Sequence, residues 1–282
     1  MDNTQFPVDN PQRLKAWINN VAKRSNLNAN TVLQNYMMER FLERVSVSEY
    51  RDSFILKGGF LIAAMVGIDA RSTIDMDTTI KGIPVSEAEV MRIVSKILDI
   101  PVNDNVTFEI KSINPIRMAG GYEDFRLGLV ATFGTIRVDL KLDVTTGDII
   151  IPREIDYSFK LMFEDRTISI KAYNLNTILA EKIETILARN VANTRARDFY
   201  DVYILLKTRQ GDIVKPELLN ALNRKAEERG TLVYVEQREK FLADIRESRD
   251  LLSIWTAFRN KYQYAAEVEY LTIMDCLTWL FE

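Results

Sequence analysis

Three short clusters along the chain combine the residue types that chemistry with phosphates and divalent cations requires. In chain order they are Gly58-Gly59, Asp75-Met76-Asp77 and Lys141-Leu142-Asp143. Glycines let a backbone turn approach an anion closely, paired carboxylates bind Mg²⁺, and a lysine meets phosphate as a point charge. Each cluster alone is weak, but their order and spacing indicate transfer of a nucleotide from a triphosphate to an acceptor.

The glycine pair lies between two apolar segments, 54–56 and 60–66, a pattern typical of a strand, a turn and a helix. At such a junction the first N–H groups of the helix point outward and can hold a phosphate. An isolated Gly-Gly is more often a plain tight turn, and this alternative stays open at the level of sequence.

The acidic pair Asp75 and Asp77 has the spacing that places two side chains on one face of a strand. Ile74 and Met76 would then point into the core. Two adjacent carboxylates repel each other unless a cation lies between them, and Mg²⁺ is the usual cation. A solvated surface pair is the alternative, and it is the commoner meaning of an arbitrary Asp-x-Asp.

The third cluster lies in a strictly alternating segment, 136–144, whose even-numbered residues are apolar. Asp139, Lys141 and Asp143 therefore share the opposite face. If this strand lies beside that of Asp75, Asp143 completes a carboxylate trio that deprotonates the attacking hydroxyl or holds a second metal, while Lys141 meets phosphate. Asp139 competes with Asp143 for this role, and an exposed sheet face is the alternative for the whole segment.

Two helical segments follow, and the first places a lysine where apolar residues are expected. Lys182 falls within the apolar stripe of the segment 175–189. A lysine there either extends to the edge of the stripe or has a partner, and the functional alternative is that it reaches a triphosphate. Thr177, Glu181 and Glu184 are expected on the polar side.

The second helical segment, 195–207, gathers Arg197, Asp198 and Asp201 on the face opposite its apolar residues. An Arg197–Asp201 pair at i,i+4 would be a simple surface pair contributing about 0.3–0.5 kcal/mol. Basic residues outnumber acidic ones between Lys182 and Arg229, a mild bias that could face an RNA backbone.

Composition excludes several classes of chemistry. The 282 residues include no histidine and one cysteine, Cys276, with a net charge of −3. Catalytic triads and imidazole-bound zinc are therefore excluded, and so is an internal disulfide. The start at residues 1–4 lacks the features of a secretory signal, and the longest apolar run, Phe60–Val66, is too short to span a bilayer. We expect a cytoplasmic protein without membrane contact.

Periodicity divides the chain into an N-terminal helical segment (1–50), a mixed core (51–172) and a helical C-terminal domain (173–282). Within the core, one helix, roughly Ser86–Leu98, is expected before the strand-like runs, and a turn is expected at Gly120-Gly121. The strand-like runs are Val106–Ile110, Arg126–Phe133, Ile136–Val144 and Thr167–Ala172. The prediction is an α+β protein with a mixed sheet.

From about Phe54 to Leu206 the chain resembles the AbiEii-type nucleotidyltransferase toxins, relatives of the DNA polymerase β-like nucleotidyltransferase superfamily. Four motifs in order support the resemblance: Lys57-Gly58-Gly59 with Asp75-x-Asp77, then Lys141-x-Asp143, Asn176-Thr177-Ile178-Leu179-Ala180-Glu181-Lys182, and Arg197-Asp198-Phe199-Tyr200-Asp201. One departure is that the superfamily often has Gly-Ser at the turn where this chain has Gly58-Gly59. Backbone N–H groups must then bind phosphate without the help of a hydroxyl.

The resemblance implies a polymerase β-like core and an Mg²⁺-dependent transferase that uses an NTP, for which GTP and the pyrimidine NTPs are candidates. The expected acceptor is tRNA or another RNA, because relatives modify the 3′ end of tRNA and thereby stop translation. The protein would be the toxin of a toxin–antitoxin or abortive phage infection system, with a cognate antitoxin encoded nearby. The alternatives are transfer to a protein or a small molecule, or a non-catalytic NTP-binding module.

The resemblance also implies roles for individual residues. It supports Asp75 and Asp77 as metal ligands and Lys182 and Asp201 as active-site residues. Together with the strand spacing, which adds Asp143 as a third expected metal ligand, the expected catalytic residues are Asp75, Asp77, Asp143, Lys182 and Asp201. The nucleotide-binding residues are Gly58, Gly59, Lys141, Thr177, Glu181, Arg197 and Asp198.

Overall fold

The structure is a computed structural model that describes residues 8–83, 86–119 and 122–282. The expected turn at Gly120-Gly121 and the start of the chain at residues 1–4 lie outside the described residues. Across the described parts of the chain, no helix combines the length and apolar character needed to cross a membrane.

The chain divides into two compact units. The first extends to Asp148 and includes Ile155–Ala172, so it contains the N-terminal helices together with the sheet. The second consists of Ile149–Glu154 and Tyr173–Glu282 and is helical.

The first unit is built on a seven-stranded sheet with the order β3-β4-β5-β2-β1-β7-β6. Its strands are β1 (Phe54–Lys57), β2 (Asp75–Ile80), β3 (Val106–Ala119), β4 (Tyr122–Phe133), β5 (Ile136–Thr146), β6 (Ile155–Lys160) and β7 (Thr167–Ala172). The pairs β2–β5 and β1–β7 are parallel and the other neighbours are antiparallel. The predicted α+β fold with a mixed sheet is thereby confirmed.

Four helices belong to the first unit: α1 (Pro11–Arg24), α2 (Ala29–Ser46), α3 (Gly58–Val66) and α4 (Glu87–Leu98). Side chains cap three of their N-termini, since Asn10 accepts from the Arg13 N–H, Asn28 from the Asn30 N–H and Ser86 from the Glu89 N–H. Helix α2 packs against β5 and β7, and α3 packs against β1 and β2. The glycine pair therefore begins a helix that lies directly on the two central strands.

Helix α2 buries charged residues as well as apolar ones. Arg40 is 0% exposed and binds Glu39, Glu43 and Glu164. Burial raises the pKa of Glu39 to about 7, and the nearby Glu164 carboxylate acts in the same direction against the attraction of Arg40. The first unit thus contains a buried carboxyl group that titrates near neutral pH.

The second unit consists of α5 (Leu175–Arg189), α6 (Ala196–Arg209), α7 (Lys215–Arg229), α8 (Leu232–Glu236), α9 (Arg238–Glu247), α10 (Arg249–Lys261) and α11 (Tyr270–Trp279). Asn174 caps α5 by accepting from the Thr177 N–H, and α7 ends at Gly230 in the left-handed conformation. The core of the unit includes Trp255, Tyr200 and Leu205.

The sheet is larger than the sequence predicts. Strand β6 is mostly exposed and lies at an edge, so it lacks the apolar alternation that identifies a strand. Strand β3 continues past Ile110 through Pro115, which an edge strand tolerates. Ile74 was expected in the core but is 42% exposed, because β2 begins only at Asp75.

Candidate active site

The glycine turn joins β1 to α3 and presses against the Asp77 carboxylate. Gly58 has φ +65°, and a Cβ added there would lie 2.1 Å from Asp77 Oδ2. The Gly59 N–H donates to the same oxygen over 3.4 Å. Gly58 is therefore required both by its backbone conformation and by the close approach of an acidic side chain.

The parallel pairing of β2 with β5 brings the acidic residues of the two strands to one face of the sheet. Asp77 lies opposite Asp143, and Asp75 lies opposite Lys141. Since alternate residues share a face, all three carboxylates project from the same side. The Oδ1 atom of Asp75 is buried and has no hydrogen-bond partner.

Asp139, the competitor of Asp143, lies outside this arrangement. It precedes the stretch of β5 that pairs with β2 and lies opposite Val130 of β4. Its carboxylate binds Lys111 at 3.1 Å, and both side chains are largely exposed. The register therefore favours Asp143 as the neighbour of Asp77.

Arg126, on β4, binds Asp143 in a two-pronged contact. Its Nε donates to Oδ1 and its Nη2 to Oδ2, each over 2.7 Å. These hydrogen bonds raise the pKa of the Arg126 guanidinium, and the charges of Asp143, Asp75 and Asp77 add to the effect. The positive charge of Arg126 thus interacts with all three carboxylates and partly offsets their negative charge. Arg126 could not be predicted as part of this group, because the sequence around residue 126 does not indicate a partner 17 residues away.

The donor chemistry of this face fits a hard divalent cation. Its three carboxylates offer hard oxygen ligands, and one oxygen, Asp75 Oδ1, has no hydrogen-bond partner. In the described residues, however, no three His, Cys, Asp or Glu side chains converge as a ready metal-binding group. Both oxygens of Asp143 are engaged by Arg126, so Asp143 would have to release the guanidinium before binding an ion.

Two lysines flank the acidic face. Lys57 lies opposite Asp77 and its Nζ is 2.5 Å from Asp148 Oδ2, with both side chains mostly buried. Lys141 lies opposite Asp75, and its side chain is exposed. Lys57 is therefore engaged within the protein, whereas Lys141 extends into solvent.

Arg71 is a second arginine near the glycine turn, and the sequence does not indicate its position. It lies in the segment between α3 and β2 and is 2% exposed. Its Nη2 would be 2.7 Å from a Cβ added to Gly59. An arginine in a short connection is usually exposed, so sequence alone offers no signal that this one is packed against the glycine turn.

In the second unit, Lys182 binds two acidic residues of α6. Its Nζ is 2.7 Å from Asp198 Oδ1 and 3.0 Å from Asp201 Oδ2. Asp198 is 3% exposed and Asp201 is 0% exposed. The lysine in the apolar stripe of α5 therefore has partners. The alternative of an exposed Arg197–Asp201 surface pair is wrong, because Asp201 is buried against Lys182.

Arg197 instead contacts an aromatic cluster, here called the Tyr262 cluster. The cluster consists of Arg197, Phe258, Lys261, Tyr262 and Tyr264. The Tyr262 hydroxyl is 3.0 Å from Arg197 Nη2, and Lys261 Nζ is 5.4 Å from the centre of its ring. Tyr262 also stacks on Tyr264 with ring centres 5.3 Å apart and remains partly exposed.

Two other expected nucleotide-binding residues have partners within the second unit. Thr177 is 1% exposed, and its hydroxyl bonds the carbonyl and the N–H of Ile151. Glu181 lies 3.4 Å from Lys225 and 3.6 Å from Arg229. In the structure, Thr177 holds a loop and Glu181 belongs to an ion-pair group, so a role for either at a nucleotide stays a prediction.

Comparison with known families agrees with the motifs. The family model for nucleotidyl transferase AbiEii toxins of type IV toxin–antitoxin systems matches residues 40–274, which is most of the chain. This span includes the glycine turn, the three carboxylates, Lys182 and the Tyr262 cluster. No curated protein matches the chain significantly in sequence.

Solved structures share the fold. MenT4, a nucleotidyltransferase toxin from Mycobacterium tuberculosis, superimposes with a TM-score of 0.53 and 14% identity, over 93% of this chain and 98% of that one. JHP933 from Helicobacter pylori gives a TM-score of 0.51 and 14% identity, over 90% of this chain and 93% of that one. At these identities the likeness establishes the fold alone.

Proposed function

The chain belongs to the AbiEii nucleotidyltransferase toxin family, and on that premise we propose that it transfers NMP from an NTP to the 3′ end of an RNA. The favoured acceptor is tRNA, whose modification would block translation. The protein would act in the cytoplasm as the toxin of a toxin–antitoxin pair that also serves in abortive phage infection. Its partner would be the cognate antitoxin.

The observation that supports this proposal most directly is the register of β2 and β5. It aligns Asp75, Asp77 and Asp143 on one face, next to the glycine turn. Asp75 and Asp77 would hold Mg²⁺, which would supply charge stabilisation at the α-phosphate. A binding-only protein has no need for crowded acids, so the arrangement favours catalysis over a passive nucleotide module.

The chain's own residues then have separate tasks in an in-line displacement. Backbone N–H groups at Gly58-Gly59, once that of Gly59 leaves Asp77 Oδ2, and the exposed Lys141 would bind the triphosphate. The acceptor hydroxyl oxygen forms a bond to the α-phosphorus, the bond from that phosphorus to the β-phosphate oxygen breaks, and pyrophosphate leaves. Asp143, once released from Arg126, would take the hydroxyl proton or complete the metal site. Lys182 and Asp201 are proposed active-site residues by resemblance.

The Tyr262 cluster supports RNA as the acceptor. Unpaired bases stack on aromatic rings, and neighbouring arginines and lysines bind the backbone. Tyr262 offers a partly exposed ring beside two cations, Arg197 and Lys261. A protein side chain or a small-molecule acceptor would have less use for such a combination.

The test is transfer from each of four labelled NTPs, with Mg²⁺, into separate pools of RNA, protein and small molecules. We expect label in RNA alone, and sequencing of RNA 3′ ends after induced expression should find the same addition. Loss of a residue that only supports a metal ligand typically lowers activity by about 10–100-fold. Because Asp75 is proposed to bind the metal directly, Asp75→Asn should reduce the rate of transfer by more than that. The matched variant Asp139→Asn, altered at an exposed carboxylate of β5, should remain active.

Other outcomes would change the proposal. Label that enters protein or small molecules and never RNA would overturn the choice of acceptor. Mg²⁺-independent NTP binding without any transfer would favour the non-catalytic module.

The acceptor can be tested separately at Tyr262. Tyr262→Ala should raise the KM for RNA by about 10-fold, given typical base–aromatic stacking, and leave the KM for NTP unchanged. Tyr234→Ala is the matched control, because Tyr234 also packs against an aromatic ring, that of Phe241, with centres 5.0 Å apart. An equal effect of both variants on the KM for RNA would remove the support that Tyr262 gives.

A further inference from the structure

We propose that Arg71 is a positioning residue of the nucleotide site, whose buried guanidinium occupies the space beside Gly59 and holds the glycine turn in its phosphate-binding shape. This inference rests on the proposed nucleotide transfer. It concerns a residue outside the four motifs that indicate the family.

The two glycines of the turn are glycines for different reasons. Gly58 has a positive φ and would be strained with any side chain. Gly59 is not among the glycines with positive φ, so its backbone would accept another residue. What excludes a side chain at 59 is space, because its Cβ would lie 2.7 Å from Arg71 Nη2 and 3.2 Å from Thr73 Oγ1.

Arg71 is held firmly enough to fill that space. It is 2% exposed, and its Nη1 donates to the Ser72 carbonyl over 2.5 Å. Its own N–H bonds the carbonyl of Gly67 over 3.0 Å, which ties it to the end of α3. A guanidinium held in this way fills the space beside Gly59 and packs against the glycine turn.

The same segment connects the turn to the carboxylates. Buried Asn35 donates to the Thr73 carbonyl over 2.7 Å, and the Thr73 hydroxyl contacts the backbone of Asp75 at 3.3–3.4 Å. Arg71 therefore lies between the start of α3 and the start of β2. Movement of its side chain would disturb the turn that binds phosphate and the strand that holds Asp75.

The position of the charge is also consistent with this role. Helix α3 begins at Gly58, and the N-terminal end of a helix carries a partial positive charge that favours phosphate. A buried cation beside the second residue adds to that potential without needing to touch the ligand. The guanidinium thus occupies the place that a side chain at 59 would take, and supplies charge there as well.

The test compares Arg71→Met, which keeps much of the volume but removes the charge, with Arg71→Lys, which keeps the charge. Nucleotide binding is measured by calorimetry without acceptor, and KM is measured for NTP and for RNA. We expect Arg71→Met to weaken NTP binding and raise its KM by about 10-fold, the loss that about 1.4 kcal/mol produces. The KM for RNA should not change, and Arg71→Lys should recover part of the loss.

A second set of variants tests the space beside Gly59. Gly59→Ser alone should impair NTP binding because its side chain meets Arg71. In Gly59→Ser with Arg71→Ala, the loss should be smaller than the product of the two single losses, since the new side chain enters vacated space. If the loss of NTP affinity in the double variant equals the product of the two single losses, the proposal is overturned.

Arg44→Met separates positioning from simple stability. Arg44 is 3% exposed and binds Asp104 at 2.7 Å, so it is a buried arginine of the same unit with a different environment. Both Met variants should lower the Tm, but only Arg71→Met should change NTP affinity. If the wild type neither binds nor transfers NTP, the proposed function fails; if it does both and Arg71→Met retains full NTP affinity, this inference fails.

Discussion

Replacing Arg126 with glutamine should tighten the binding of a divalent cation, because Arg126 occupies both oxygens of a proposed metal ligand. The guanidinium binds Asp143 through two hydrogen bonds of 2.7 Å. A cation that needs Asp143 must first displace this contact. The free energy of the contact is therefore subtracted from the free energy of metal binding.

The size of this effect follows from the exposure of the pair. Hydrogen bonds to charged groups contribute about 1.5–3 kcal/mol when well protected. Arg126 is 46% exposed and Asp143 14% exposed at the side chain, so solvent screening reduces the value toward about 1 kcal/mol. Removing the contact should then lower the Kd for a divalent cation by about 5-fold.

The measurement is calorimetric titration with Mn²⁺ at fixed ionic strength, without NTP. Arg126→Lys keeps the charge but loses the two-pronged geometry, so its Kd should lie between those of the wild type and Arg126→Gln. Arg137→Gln removes an equal charge from the exposed contact with Glu109, 3.7 Å away, and should change little. A Kd for Arg126→Gln that is unchanged or weaker would refute the idea that Arg126 competes with the ion for Asp143.

Three further changes test other parts of the structure. Burial raises the pKa of Glu39 to about 7 from 4.5, so stability should fall as pH rises from 4.5 through 7, and Glu39→Gln should flatten this slope in denaturation at pH 5 and 8. Gly58→Ala places a Cβ 2.1 Å from Asp77 Oδ2 at φ +65°; it should lower the unfolding free energy by at least about 1 kcal/mol and abolish transfer, whereas a wild-type urea midpoint would contradict the steric argument. Lys182→Met removes the ammonium group that binds Asp201, which is 0% exposed, and should cost about 3 kcal/mol in urea denaturation; an unaltered midpoint would show that this pairing contributes no stability.

The elements of the fold could be predicted where one face of an element is buried. The segment Ile136–Val144 alternates without exception, and the structure has a strand there with its even-numbered residues buried. The same logic placed Asp75 and Asp77 on one face of β2. A local pattern suffices in these cases because burial repeats with the period of the strand.

The charge pairing within each unit could not be predicted in the same way. Arg126 meets Asp143, and Lys182 meets Asp198 and Asp201, through folding of distant segments. The spacing of these residues along the chain does not indicate any of these contacts. On a helical wheel Asp201 belongs to the polar face of α6, yet it is completely buried because a lysine from α5 neutralises it.

The order of the sheet has a consequence for how such a protein can be controlled. Strands β1, β2 and β5 lie in its interior, each hydrogen-bonded on both sides. Backbone amides in such strands exchange with solvent mainly through opening of the whole unit. Asp75, Asp77 and Asp143 therefore keep their spacing for as long as the first unit is folded, and loosening a loop will not separate them. Inhibition of the proposed transfer must then act from outside the sheet, by blocking access to these carboxylates or by removing a substrate.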